Sequence, residues 1–199
     1  MPDPRRARLS PEERRAQLIA TGVNFLAEHT LDELSMEVLA QQAGVSRPLL
    51  FHYFDTKQGM HLAVVTMARD SLLHASEPRA DLPPRERVRD TLLRIAGFVQ
   101  QHKSTFHSLV RGVASGDPAV RRVVDESREL NAQRLLDAFI ELGIPDSPAL
   151  RIALRSWVAF TEETLVSLVI ERDTDPEQVV RFLESTLDGV VAATDDLSV

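Results

Sequence analysis

The 199-residue sequence contains no cysteine. Disulfides, thiolate metal sites and thiol nucleophiles are thereby excluded. Basic surplus is also missing: 23 lysines and arginines face 30 aspartates and glutamates, a net charge of -7. A chain-wide polycation that coats nucleic acid or membrane is ruled out, and only a local basic face remains open. No window approaches the roughly 20 apolar residues that span a bilayer, and the charged stretch from Met1 to Arg8 lacks the apolar core of a signal peptide. The expectation is a cytosolic, non-membrane protein. Gly-x-Gly-x-x-Gly, P-loop and His-Glu-x-x-His motifs are absent. His102 and His107 are five positions apart and turn to different helix faces, which disfavours a two-histidine metal pair. Glu162 and Glu163 are adjacent and diverge, and so read as one buried and one solvated carboxylate rather than an acid/base couple. No catalytic residue, metal ligand set or cofactor is expected.

What the chain does carry is helix punctuation. Ser10-Pro11, Asp117-Pro118, Ser147-Pro148 and Asp175-Pro176 each pair a capping side chain with a proline at the first helical position. Glu13 and Gln178 stand three residues past two of these caps, the capping-box spacing. Gly116 and Gly143 mark left-handed exits of preceding helices. Between the marks, apolar residues recur every three or four positions, as in Ile19, Val23 and Leu26 or Val180, Leu183, Leu187 and Val190. That is helical period, and alternation of period two is not sustained. The reading is all-α, with helices near 11–28, 36–42, 47–53, 57–75, 85–101, 104–114, 118–141, 148–171 and 176–194. The three-proline stretch from Glu77 to Pro84 is the expected loop.

Charge divides along the chain, with a net of -1 over residues 1–57 and -6 over residues 58–199. In the first part Ser35 can cap one short helix, Gly44 can end it in the left-handed region, and Ser46 can cap the next. This is a helix, a tight glycine turn and a helix, the arrangement that holds a second helix out toward a major groove. Leu39, Ala40, Ala43, Val45 and Leu50 would pack the pair, leaving Ser46, Arg47, Leu49, Phe51 and His52 outward. Pro48 takes the second helical position, where its missing N–H breaks no intrahelical bond. Arg47 can present a planar fork to guanine or phosphate. From the turn alone, a reading head and an ordinary solvated helical hairpin stand equal.

Residues 9–60 resemble the DNA-binding domain of the TetR (tetracycline-repressor) family of transcriptional regulators. The resemblance rests on Ala43-Gly44-Val45-Ser46, on Leu50-Phe51-His52-Tyr53-Phe54 and on Lys57 at matching spacing. It implies a helix-turn-helix DNA-binding domain over residues 1–56 and a larger ligand-binding and dimerisation domain over 57–199. The implied DNA-contact residues are Ser46, Arg47, Pro48, Leu49, Phe51, His52 and Lys57, with Lys57 on phosphate at the start of the following helix. Three positions depart from the family pattern: Phe51 replaces a tyrosine whose hydroxyl touches phosphate, Tyr53 replaces a histidine, and Thr30 replaces the glycine that ends the first helix. Arg5, Arg6 and Arg8 suit either a minor-groove arm or a solubilising tail.

In the larger part, helices 148–171 and 176–194 carry apolar residues round more than one stripe, which calls for two partners. One side packs the chain's own core, and the other suits a second copy about a twofold axis, with Gly189 permitting close approach. Phe98, Phe106, Phe139, Trp157 and Phe160, with Leu109, Leu136 and Val113, are the candidate walls of an apolar pocket. His102, His107, Glu162 or Glu163 would form its polar end. Taken singly, each aromatic reads equally as core filling, and the family resemblance is what implies a small-molecule effector there. The combined expectation is a homodimeric regulator that releases a palindromic double-stranded operator on binding a small apolar ligand. A small helical carrier or enzyme that never touches DNA is the rival.

Overall fold

The computed structural model describes residues 9–111 and 117–196. Among them the α-helices are α1 (Pro11–Phe25), α2 (Met36–Ala43), α3 (Arg47–Phe54), α4 (Lys57–Ala75), α5 (Pro84–Gln101), α6 (Lys103–Arg111), α7 (Pro118–Glu141), α8 (Pro148–Thr164) and α9 (Pro176–Ala192). The fold is all-α, as the periodicity predicts, and no described helix is long and apolar enough to cross a membrane.

Each cap-proline pair opens a helix. Ser10 accepts the Glu13 N–H, Asp117 that of Ala119, Ser147 that of Leu150 and Asp175 that of Gln178. The reciprocal bond forms at Ser10, whose N–H donates to the Glu13 carboxylate at 2.7 Å. At Asp175 the described hydrogen bonds contain only the forward half, at 3.3 Å. Gly44 and Gly143 both hold positive φ, 63° and 87°.

Some boundaries differ from the sequence reading. α1 stops at Phe25 and a 3-10 turn follows at Leu31–Glu33. There the Glu33 carboxylate accepts from the Thr30 N–H at 2.7 Å and from its hydroxyl at 2.9 Å. Thr30 sits at φ -83°, in the extended region, so this turn needs no glycine. α8 ends at Thr164, and Leu165–Ile170 continues it as a π-helical segment. Its wider turn lets Leu165, Val166 and Val169 all be buried. α9 likewise gives way to a 3-10 turn, Ala193–Asp196. Gly116, Val113, the end of the predicted helix 104–114, and Arg5, Arg6 and Arg8 lie outside the described residues.

Two apolar clusters hold the molecule. The head cluster gathers Leu18, Ile19 and Leu26 of the first helix region, Leu39, Leu50 and Phe54 of the helical pair, and Met60, Val64 and Val65 of α4. It also takes in Leu109, Val120 and Val123 from α6 and α7. The body cluster joins Leu92, Ala96 and Val99 to Phe106, Leu136, Phe139, Leu154, Trp157, Val180, Leu183 and Leu187. Full burial of each large aliphatic side chain contributes about 1.5–3 kcal/mol relative to exposure. Leu72 of α4 packs against both clusters. α4 is therefore the spine: its first turns seat the head and its last turns enter the body.

Candidate DNA-reading face and ligand cavity

The helical pair is fixed by small local devices. The Ser35 hydroxyl accepts the Val38 N–H at 3.1 Å and starts α2. Gly44, in the left-handed region, ends it by returning N–H bonds to Ala40 and Gln41. Ser46 occupies the N-cap of α3, but its hydroxyl makes no cap bond, which corrects the capping role read from the sequence. Its backbone is extended, and the helix opens through Pro48, which needs no N–H partner there.

The junction from α3 to α4 is tighter than the sequence suggests. The Thr56 N–H donates to the Phe54 carbonyl at 2.6 Å across Asp55, which is held at φ 57° and ψ -47°. This is a γ-turn, strained for a residue with a Cβ. Thr56 then caps α4 by accepting the Gly59 N–H at 3.0 Å. A Cβ on Gly59 would lie 2.4 Å from the Phe54 carbonyl oxygen, so only glycine lets the two helices meet. From α1, Arg15 lies over the Phe54 ring, 5.4 Å from its centroid.

The outcome is an outward row. Leu50 and Phe54 are buried, whereas Ser46, Arg47, Pro48, Phe51 and His52 are exposed and Leu49 is half-buried. Phe51, 42% exposed, lies beneath the Arg47 guanidinium at 6.0 Å. Lys57 is the first residue of α4, exposed, with its ammonium 3.4 Å from the Asp32 carbonyl. All seven sequence-predicted contact residues thus fall at one end of the head. Sequence reasoning missed two of their neighbours. Glu37 pairs with Arg47. His61, buried on α4, bonds through Nε2 to the Leu34 carbonyl at 2.7 Å and ties the spine to the approach to α2. Burial holds the His61 imidazole below its ordinary range, against the opposing effect of that bond.

At the other end of α4 is a cavity of about 120 Å³. α4 contributes Arg69, Leu72 and Leu73; α5 adds Val88, Leu92 and Ile95; α7 and α8 close it with Val123, Leu135, Trp157 and Thr161. Of the predicted lining residues, Phe106, Leu109, Trp157 and Glu162 are in its wall. Phe98, His102, Phe139 and Phe160 are elsewhere, which corrects the aromatic-lined picture. The Phe98 ring lies tilted by 43° against that of His102, which caps the end of α5, with 4.5 Å between centroids. Phe139 is a third of a turn round from the lining residue Ala138 and borders a separate cavity beside Leu142 and Leu187. Phe160 is 41% exposed and faces Phe182 across 6.0 Å. Nor do His107 and Glu163 line the wall.

The polar groups of the cavity come largely from residues that aromatic counting passed over. Ser127, Asn131 and Arg134 line it at helical spacing on α7, in register with Val123, Val124 and Ala138. Polar residues on an otherwise inward stripe were the available signal. Glu162 is held by Arg128, whose Nε donates at 2.8 Å. Burial raises the Glu162 carboxyl and Arg128 opposes the rise. Among the described residues no group of three or more His, Asp or Glu could hold a metal ion.

A glycine-turned helical pair, carried on a spine that runs into a cavity-bearing helical body, defines the class of helix-turn-helix regulators with an appended helical domain. Comparison with known proteins specifies it. Residues 18–64 match the family model described as bacterial regulatory proteins, tetR family, and residues 84–187 match the tetracyclin repressor-like C-terminal domain. The chain belongs to the TetR family. It is 24% identical over 132 residues to the HTH-type transcriptional activator FasR of Mycolicibacterium smegmatis, covering 65% of this chain and 60% of that one. It is 36% identical over 81 residues to the HTH-type transcriptional regulator EthR of Mycobacterium tuberculosis H37Rv, 39% of this chain and 38% of the relative. These matches span less than two thirds of either relative. A tetR-family transcriptional regulator from Streptomyces coelicolor superposes with a TM-score of 0.79 at 28% identity, covering 94% of this chain and 83% of the other.

Proposed function

We propose that the protein is a homodimeric, sequence-specific DNA-binding regulator in the cytoplasm. In this reading residues 1–56 read DNA and residues 57–199 bind effector and partner. One observation carries it: α4 starts beneath the outward row with Lys57 and ends in the cavity wall with Leu72 and Leu73. Leu109 and Val123 belong to both the head cluster and the cavity wall, so a ligand that displaces them strains the seat of α3.

Ser46, Arg47, Pro48, Leu49, Phe51 and His52 face the major groove, and Lys57 takes a phosphate. Two copies related by a twofold axis place their α3 helices about one helical turn, ~34 Å, or a multiple apart on a near-palindromic duplex. The dimer face is on α8 and α9, where Ile152, Phe160 and Phe182 are 60%, 41% and 47% exposed. Ligand release of the operator requires different ligand affinities for the DNA-competent and incompetent forms, because equal affinity shifts nothing.

The test is a thermal-shift screen of small molecules, followed by fluorescence anisotropy on the duplex upstream of the protein's own gene with and without each hit. A hit that lowers duplex affinity supports the repressor reading. The activator name of FasR favours a second reading, in which ligand leaves affinity intact or raises it and only transcription responds. If Arg47→Ala and Lys57→Ala both leave duplex binding unchanged, the regulator reading gives way to a carrier or enzyme that does not use DNA.

A further inference from the structure

The cavity is lined by three arginines, and they are not alike. Arg87 is bound by both Glu141 oxygens, at 2.8 and 3.1 Å, and by the Leu82 carbonyl. Arg69 pairs with Asp70 at 2.8 Å and with Glu126 at 3.6 Å. Among the described residues Arg134 has no carboxylate within ion-pair distance, and its described hydrogen bond goes to Asn131 at 3.4 Å. Arg94, nearby, is committed to Asp90 and to the Ala75 and Glu77 carbonyls. Burial disfavours the Arg134 cation, Glu77 favours it from beyond contact, and Arg94 adds like-charge repulsion. A guanidinium in an apolar wall without a counterion is a costly arrangement unless something supplies the anion.

A second group in the wall is also unmatched. Thr161 is 7% exposed, and its buried hydroxyl has no hydrogen-bond partner among the described residues. Such an orphan is destabilising when nothing satisfies it. Its neighbour Glu162 is held by Arg128, six residues before Arg134 along α7. Leu92, Val158, Trp157 and Leu135 are among the apolar wall around the two unmatched groups.

We infer that the effector is an organic anion with an apolar body, a carboxylate-type amphiphile whose head binds Arg134 and whose body fills the cavity beside Trp157. The inference rests on the reading of this cavity as the effector site and names its ligand class. A neutral hydrocarbon leaves the guanidinium unmatched, and a cation is repelled by Arg134, whereas Arg87 is neutralised by Glu141 and Arg94 by Asp90. The paired state of Arg69, Arg87 and Arg128 makes Arg134 the selecting residue.

The full-length protein offers its own reporter, since Trp157 is the single tryptophan of the chain and stands in the wall. Trp157 fluorescence is titrated with decanoate, 1-decanol and decylammonium, each below its micellar concentration. Decanoate is expected to bind at least about tenfold tighter than decanol, as a charge-assisted hydrogen bond provides, with decylammonium weakest. Arg134→Gln should bring decanoate within about twofold of decanol while leaving decanol binding unchanged, which also shows that the variant is folded. Arg134→Lys should retain a preference for the carboxylate. Equal binding of decanoate and decanol to the wild type, or a carboxylate preference that survives Arg134→Gln, overturns the inference and leaves the cavity as an effector site for neutral molecules. Silence of Trp157 toward all three probes, with no shift in melting temperature, overturns both the inference and the effector-site reading.

Discussion

Arg47 and Glu37 form an ion pair across the glycine turn, with Nη1 to Oε1 at 2.6 Å and both side chains more than half exposed. The most prominent cation of the outward row is thus already partnered before DNA arrives. An exposed pair of this kind contributes about 0–1 kcal/mol. It is weak enough for a phosphate or guanine to displace, and if Arg47 contacts DNA as proposed, the pair opposes binding by that amount.

Glu37→Gln should therefore tighten duplex binding by up to about fivefold, most clearly at low salt, where exposed charges are least screened. Arg47→Ala should weaken it by about 1–3 kcal/mol. Anisotropy titrations at two ionic strengths measure both. Unchanged affinity for Glu37→Gln would show that Arg47 does not have to leave its partner to bind.

How legible this head was in the sequence depends on how local each device is. Gly44, Ser35 and the Leu50 to Phe54 run act within a few residues, so their spacing predicted the turn, the first cap and the exposed row. The γ-turn at Asp55 and the Glu33 bonds at Thr30 are equally local, but aspartate and threonine carry no distinctive sign of them. The cavity was only half legible because its wall is assembled by the rotational phase of α5, α7 and α8 against one another. Period 3.6 identifies a stripe without saying which neighbour it meets. Phe139 and Phe160 were misplaced by about a third of a turn for that reason. Within the apolar run Leu165–Ile170, moreover, an α-turn and a π-turn bury the same residue types.

Two glycine substitutions should differ in sign. Gly59→Ala places a Cβ 2.4 Å from the Phe54 carbonyl, so the α3–α4 junction must open; a loss of about 1–3 kcal/mol and weaker duplex binding are expected. Gly97, inside α5, has nothing within 4 Å of a Cβ. Gly97→Ala should stabilise by about 0.4–1 kcal/mol by restricting the unfolded chain. Urea unfolding of the two variants decides. A Gly59→Ala protein as stable as wild type would show that the junction is not close-packed.

His61 should make stability fall in mild acid. Burial lowers its folded pKa; Lys57 acts in the same direction, while the Leu34 bond, Asp32 and Asp117 oppose it. Well above its ordinary pKa of about 6.5 the imidazole is neutral in both states and contributes no slope. Below that, the unfolded chain takes up a proton that the folded chain excludes, so unfolding stability declines as pH falls toward the folded pKa and levels off beneath it. Chemical denaturation between pH 7.5 and 5.5 should show this decline in wild type and a shallower one in His61→Gln. Equal slopes would assign the acid sensitivity to other groups.

The exposed aromatics of α8 and α9 make the last prediction. Phe160 and Phe182 lie 6.0 Å apart on the outside of the body, and Ile152 is 60% exposed on the same helix as Phe160. Gly189 is seven residues past Phe182 on α9, hence on its face, and apart from its immediate neighbours on that helix no described residue comes within 4 Å of where its Cβ would be. A bulky residue at this position leaves the subunit's own packing untouched and acts only on a body that docks from outside. Gly189→Arg should thus preserve the helical circular-dichroism signal and melting behaviour of the isolated subunit, while sedimentation velocity shows monomer where wild type shows dimer. Phe182→Arg should do the same, whereas Met67→Lys, at an exposed apolar position on α4, should not. Under the proposed dimer, which would hold a palindromic duplex with two heads, the monomeric variants should also lose most of their preference for the full site over a half-site. A Gly189→Arg protein that remains dimeric would place the subunit interface on another face.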